Sequence, residues 1–195
     1  RYGIGAANVV KASKAGAVSA DLAGQLAKVP HDLPGPVLVT ITIGGNNMTA
    51  SFVDILQGKD APDLAAMKAD IDAALAEIHS PDRFGAGVTA TVFEANVYDP
   101  SDDVSANFAS CPSPLSLIPS TFDIATTFKT WNAAIASSLA ATSDVDVDSH
   151  AIFLGHGAEQ PSDGTRWFFS DCIHPNQVGH DQLRIAFWNA ITGGT

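Results

Sequence analysis

Two short segments of the chain contain residue types that can perform acid–base chemistry. Asp171 stands three residues before His174, on the turn into a predicted last helix, and Asn46 follows an apolar run that ends at Ile43. A carboxylate in that position can orient the imidazole as a general base, and the Asn46 amide can donate a hydrogen bond to an oxyanion. A base of this kind acts on a nucleophile, which the rest of the sequence has to supply.

The composition predicts one globular domain over residues 1–195. Of the 195 residues, 46% are hydrophobic and 16% are charged, which is enough to bury a sizeable core. The net charge of -11 and the scattered basic residues argue against a nucleic-acid partner. No apolar run reaches the roughly 18 residues that a membrane span needs, and no signal-peptide pattern is present. We therefore expect a soluble chain, consistent with a precursor that has already been processed.

Apolar runs alternate with helical patterns, which predicts a three-layer α/β domain around a parallel sheet. The Val37–Ile43 run lacks polar alternation apart from two threonines, so it suits a strand buried on both faces. Asp99 to Ser120 has little periodicity and is interpreted as a long functional loop. The predicted strands are Asn8–Ala12, Val37–Ile43, Val88–Tyr98 and Val145–Phe153, and the predicted helices are Ser19–Lys28, Thr49–Leu56, Pro62–His79, Thr121–Ala141 and Pro175–Ile191.

The candidate residues follow strands or precede the last helix, where parallel α/β folds place their sites. Gly16 follows the first predicted strand and Asn46 the second. Each has a structural alternative. Gly16 can be a simple turn glycine, Asn46 can be a left-handed turn residue, and Asp171 can cap the helix that begins near Pro175.

The two cysteines, Cys111 and Cys172, allow one bridge. Two free, buried thiols are the alternative, but the even number and the flanking loop residues favour a disulfide. Such a bond would tie the long loop to the Asp171–His174 segment and would indicate a secreted or periplasmic protein.

The order of these motifs resembles the SGNH (GDSL-type) hydrolases, a flavodoxin-like family of esterases and lipases. Lys14-Ala15-Gly16-Ala17 looks like the family's glycine block, Gly44-Gly45-Asn46-Asn47 like its Gly-Xaa-Asn-Asp block, and Asp171 to Gly179 like its Asp-Xaa-Xaa-His block. The resemblance implies acyl-enzyme ester hydrolysis. In that chemistry His174 is the base, Asp171 its orienter, and Gly16 and Asn46 the oxyanion hole.

The sequence departs from the family pattern in two places. Asn47 stands where the family usually has Asp, and the Gly-Asp-Ser block of the central first strand is missing. Ser19, which we predict to cap a helix, is a poor substitute for that serine, as are Ser13, Ser149 and Ser170. We therefore expect the nucleophile strand, which would lie between those at Val9 and Val37, to come from a separate N-terminal fragment of the same precursor. The alternatives are a catalytically inactive binding domain and a carbohydrate esterase that removes acetyl groups from polysaccharide.

The resemblance implies no cofactor and no metal. His150, His156 and His180 show no ligand-like clustering in the sequence and are interpreted as surface or supporting residues. Trp167, beside two phenylalanines and close to Asp171, is a candidate wall of a substrate pocket, with a core aromatic as the equal alternative. Substrate identity would depend on the loop from Asp99 to Ser120 and on the missing segment.

Overall fold

A computed structural model describes residues 8–33, 35–161 and 163–194. Within these residues three parallel strands form one sheet in the order β1-β2-β3, with β1 Val37–Thr42, β2 Ala90–Ala95 and β3 Val145–Val147. The helices are α1 Leu22–Leu26, α2 Gly45–Ala50, α3 Phe52–Leu56, α4 Ala61–Ile78, α5 Ile124–Thr142, α6 Ser149–Phe153 and α7 Gln177–Thr192. The ends of the predicted domain, residues 1–7 and 195, lie outside the described residues.

Successive residues of β2 face opposite layers, as the pleat of a strand requires. Val92 packs into the main core with α1, α4 and α5, whereas Phe93 packs with Val147 and with Ala186 of α7. Helices therefore cover both faces of the sheet, and the predicted three-layer α/β class is confirmed. The predicted helix from Pro62 is also confirmed, since its apolar residues Met67, Ile71, Leu75 and Ile78 are all buried at helical spacing.

The strand predicted at Asn8–Ala12 is wrong, because the described residues 8–18 contain no strand. Val9 is 64% exposed and Val10 is 45% exposed. A cavity of about 1430 Å³ separates residues 8–14 from the edge of β1. A strand exists only through hydrogen bonds to a neighbour, and among the described residues this segment has no strand to pair with, so it stays irregular.

The prediction that the Val37–Ile43 strand is buried on both faces is also wrong. Among the described residues β1 pairs only with β2, and exposure alternates along it, with Leu38 48% exposed. β1 is thus an edge strand in this structure. Its sequence is nevertheless that of a central strand, since apolar and β-branched residues fill both faces.

Two further elements differ from prediction. The helix expected at Thr49–Leu56 starts at Gly45 and breaks at Ser51 into α2 and α3. The strand expected at Val145–Phe153 stops at Val147, because the Asp148 carboxylate accepts a hydrogen bond from Ala151 N at 3.1 Å and starts α6. The loop predicted at Asp99–Ser120 is confirmed, with short 3-10 turns at Ser105–Ser110 and Leu115–Leu117.

Candidate active site

Asp171 and His174 form a hydrogen-bonded pair at the turn before α7. Asp171 Oδ2 lies 2.9 Å from His174 Nδ1, while Oδ1 accepts hydrogen bonds from Ile173 N at 2.9 Å and from His174 N at 3.0 Å. A carboxylate only accepts, so Nδ1 carries the hydrogen, and Nε2 is left to take a proton. The pair therefore has the tautomer that a general base needs.

The electrostatics of Asp171 favour its ionised form. Partial burial raises its pKa, but the backbone N–H groups of His174 and Ile173 and the His174 side chain outweigh that effect and hold the pKa below its ordinary value. Burial, with a smaller contribution from the Asp171 charge, raises the pKa of Tyr98 to about 12. Tyr98 follows β2. The rule that sites gather at the carboxyl ends of strands could have identified it as a residue near the site, but no sequence motif marks it.

The backbone around this pair is held by its neighbours. Asn176, not Asp171, caps α7, since its side chain accepts from Val178 N and Gly179 N. The alternative role of Asp171 as the cap is therefore wrong. Asn176 N donates to Trp167 O at 2.7 Å, and a side chain at Gly179 would collide with that same carbonyl, so α7 starts close against the preceding chain.

Gly16 and Asn46 line the same cavity as His174. Gly16 adopts φ +74°, a conformation that favours glycine, so it is a turn glycine, and its role as an oxyanion donor stays a prediction. Asn46 Nδ2 donates to Ala17 O at 3.0 Å, which ties the glycine turn to the start of α2. One amide hydrogen of Asn46 is used in this way, and the second is available to a ligand.

One cavity of about 540 Å³ is lined by Gly16, Asn46 and His174, among other residues. This volume falls within the ordinary range for small-molecule sites. Further walls come from α2, α3, the end of β2, the segment of residues 100–122, and helices α5 and α7, and they are mainly apolar, including Phe52, Leu56, Pro114, Leu115, Ile118 and Phe122. The wall from α3 was missed in the sequence, because its helical pattern resembles that of any surface helix.

The predicted disulfide is confirmed. Cys111 and Cys172 are bonded, with Cα atoms 5.8 Å apart and a sequence separation of 61. Both residues are 5% exposed. Cys172 lies between Asp171 and His174, so the bond joins the loop that walls the cavity to the backbone of the candidate base.

Replacing both cysteines by serine should lower the free energy of unfolding by about 3–4 kcal/mol, because the cross-link restricts the unfolded chain. Urea unfolding of the purified protein measures this difference. Reductant should destabilise the unaltered protein by a similar amount and leave the double variant unchanged. Equal stability of the oxidised protein and the double variant would contradict the expectation.

Trp167 does not line this cavity. It is 8% exposed, stacks on His156 with ring centroids 3.6 Å apart, and meets Phe153 edge-on. The core alternative is therefore the one observed, and the pocket-wall prediction for Trp167 is wrong. Its run of aromatic neighbours already indicated burial.

His150 is clustered, contrary to prediction. Its Nε2 lies 3.3 Å from Asp103 Oδ1, and with Asp99 these residues form the one group of His, Cys, Asp or Glu side chains in the described ranges with the proximity of metal ligands. Hydrogen bonds from Ser101 and from the backbone of Asp103 already engage both Asp99 oxygens. That arrangement favours a structural role in the loop after β2.

Helices on both faces of a parallel sheet, with polar side chains gathered at its carboxyl edge, define an α/β domain of the flavodoxin-like kind. The chain belongs to the GDSL-like lipase/acylhydrolase family, whose model matches residues 1–182. No helix in the described ranges has the length and apolar character to cross a membrane.

Two solved structures share the fold. An extracellular lipase from Streptomyces rimosus is 22% identical, with a TM-score of 0.53, and the match covers 92% of this chain and 77% of that one. A phospholipase A1 from Streptomyces albidoflavus is 20% identical, with a TM-score of 0.50 and the same coverage. None of the curated proteins compared matches this chain. At these identities the likeness establishes the fold.

Proposed function

We propose that this chain is the larger part of a serine ester hydrolase whose serine belongs to a separate polypeptide. The proposal depends on one observation: a single, mainly apolar cavity is lined by His174, Asn46 and Gly16. In the mechanism, the serine attacks the ester carbonyl and His174 Nε2 takes its proton, while Asp171 stabilises the imidazolium. The Gly16 N–H and the Asn46 amide hold the oxyanion. His174 then passes the proton to the leaving alcohol, and water releases the acyl group from the serine by the same steps.

Two serines of this chain, Ser19 and Ser149, are poorly suited to be the nucleophile. Ser19 is 1% exposed and its hydroxyl donates to Asp70, and Ser149 is fully buried with its hydroxyl donating to Asn96 O. Ser19 is also not the helix cap that we predicted, since Val18 precedes the first turn. The sequence contains no Gly-Asp-Ser.

The cavity beside β1 supports a strand as the location of the serine. Residues 8–14 line one side of it and all of β1 lines the other. A further strand there would pair with the free edge of β1 and would give residues 9–12 a neighbour. Leu22, Leu26 and Ile78 offer an apolar floor on one face of the sheet, and Leu38 and Ile191 do so on the other. A serine at the carboxyl end of that strand would lie at the same edge of the sheet as Asn46.

The mainly apolar walls favour an acyl chain, and hence an esterase or lipase, over removal of acetyl groups from a polysaccharide. The buried disulfide supports a secreted or periplasmic location, since such bonds persist in oxidising compartments.

Serine-directed labelling with a fluorophosphonate, followed by intact-mass analysis, tests the proposal. Label should appear on a shorter second chain that contains Gly-Asp-Ser, in material that hydrolyses p-nitrophenyl esters. Turnover with label on this chain alone would rule out a separate serine chain. Absence of both label and turnover would indicate the inactive binding domain.

Replacing Asn46 by alanine should lower kcat by about 10²–10³, because one oxyanion donor is lost where charge develops. Stability should change little, since Asn46 is exposed and its side chain makes one hydrogen bond to the described residues, to Ala17 O. Steady-state kinetics and thermal unfolding measure the two effects. Thr49→Ala, at an exposed residue of the same helix, is the matched control. Full activity of the Asn46 variant would show that its amide does not hold the oxyanion.

A further inference from the structure

Asp70, Ser19 and Asn47 form a hydrogen-bonded chain behind the glycine turn. Ser19 Oγ donates to Asp70 Oδ2 at 2.7 Å, and Asn47 Nδ2 donates to Ser19 Oγ at 2.9 Å. Ser19 N donates in turn to Asn47 Oδ1 at 2.9 Å. Ser19 is 1% exposed, so its hydroxyl depends on these partners.

The direction of every bond in this chain is determined by one backbone group. Ser19 N–H can only donate, so the atom of Asn47 that faces it is the oxygen, and Nδ2 must face the Ser19 hydroxyl. The hydroxyl therefore receives a hydrogen from Asn47 and must direct its own hydrogen elsewhere. Asp70, from the 18-residue helix α4, provides the acceptor.

This chain adjoins both candidate oxyanion donors. Asn47 follows Asn46 directly, and Asn46 Nδ2 bonds Ala17 O, one residue after Gly16. The glycine turn and the start of α2 are thus joined by three hydrogen bonds, two at Asn47 and one at Asn46. Asp70 anchors that junction to the core helix α4.

We propose that Asp70 is a positioning residue that acts through Ser19 and Asn47 to fix the Asn46 amide relative to the Gly16 N–H. This inference rests on the proposed function. Asn47 and Asp70 form a matched pair, because the amide at residue 47 requires an external acceptor for the Ser19 hydrogen. A carboxylate at residue 47 would accept that hydrogen itself and would oppose the charge of Asp70.

The first test is Asp70→Ala in the assembled two-chain hydrolase, assayed with p-nitrophenyl butyrate well below the unfolding temperature. We expect kcat to fall about tenfold at unchanged KM, since a displaced oxyanion donor weakens binding of the transition state only. Asp72→Ala is the control, because it removes the same charge from the same helix and touches Lys68 instead. Unchanged kcat in Asp70→Ala would overturn the inference.

The second test is a rescue that a merely structural role would not produce. Asn47→Asp alone should lower kcat, because two carboxylates then compete for one hydroxyl hydrogen. Asn47→Asp combined with Asp70→Asn should restore kcat to within about twofold, since the direction of the chain is simply reversed. If the factor by which kcat falls in the double variant equals the product of the factors for the two single variants, the pairing is overturned.

A failure of the proposed function can be told apart from a failure of this inference. If the unaltered assembly shows neither turnover nor serine labelling, the hydrolase proposal fails. The ¹H–¹⁵N signal of the Asn46 side-chain amide still reports on positioning, and it should shift in Asp70→Ala but not in Asp72→Ala. An unshifted signal in both variants would overturn the inference independently of activity.

Discussion

If the proposed two-chain hydrolase is correct, replacing His174 by alanine in it should lower kcat by about 10⁴-fold or more, the largest effect expected of any single substitution in this chain. His174 is the proposed acceptor of the serine proton, and Asp171 orients its ring. Among the described residues that line the cavity, no other histidine ring is oriented by a carboxylate in this way. Because the His174 side chain is 69% exposed, the free energy of unfolding should change by less than about 1 kcal/mol. Initial rates with p-nitrophenyl butyrate and urea unfolding give the two quantities.

His180→Ala is the matched control for the His174 variant. His180 is also exposed and lines the same cavity from α7, but among the described residues it has no carboxylate partner of the kind that Asp171 provides. We expect its kcat to stay within a few-fold of the unaltered protein. Asp171→Asn should resemble the His174 variant, since its amide would donate to Nδ1 and enforce the wrong tautomer. Equal losses at His174 and His180 would point to altered substrate binding and would contradict the role of His174 as the base.

Replacing Glu94 by glutamine should remove a large pH dependence of stability. Glu94 lies in the central strand β2, is fully buried, and has no hydrogen-bond partner for either carboxylate oxygen within the described ranges. Burial, with smaller contributions from the charges of Asp146 and Asp144, raises its pKa from 4.5 to about 8. Folding therefore favours the protonated acid, and the folded protein holds one proton more than the unfolded chain between pH 4.5 and about 8.

The contribution of Glu94 to stability is fully present below pH 4.5 and is lost as the pH rises through about 8. At about 1.4 kcal/mol per pKa unit, the accumulated loss is on the order of 4–5 kcal/mol. Glutamine does not titrate, so the free energies of unfolding of the two proteins should agree near pH 4 and diverge toward pH 8.5 in favour of Glu94→Gln. Urea unfolding at several pH values measures the difference.

Asp146 has a pKa raised to about 6 by burial and by Asp148, and Asp146→Asn is the comparison that should diverge less and at lower pH. A constant difference between the unaltered protein and Glu94→Gln across the range would contradict the expectation.

Much of the fold could be predicted because its signals are local. The helix from Pro62 follows from apolar residues at helical spacing, and the strand at Val88–Tyr98 follows from an apolar run of β-formers. The disulfide followed from two cysteines in loop-like sequence. The predictions failed where an element depends on a neighbour. Residues 8–12 have strand-forming valines but no adjacent strand in the part of the chain that the structure describes, and residues 151–153 are apolar but follow a capping Asp148.

The sequence alone determined the residue types and local turns of the candidate site. Asp171 three residues before His174 and a glycine-rich turn ahead of Asn46 are properties of adjacent residues, and their geometry depends on short-range hydrogen bonds. Only the tertiary structure decided what these segments face. It placed Trp167 in the core, buried Glu94 with no hydrogen-bond partner among the described residues, and joined Ser19 to Asp70 across 51 residues. The physical reason is that burial and long-range hydrogen bonds arise from the packing of distant segments, which no local pattern of residues encodes.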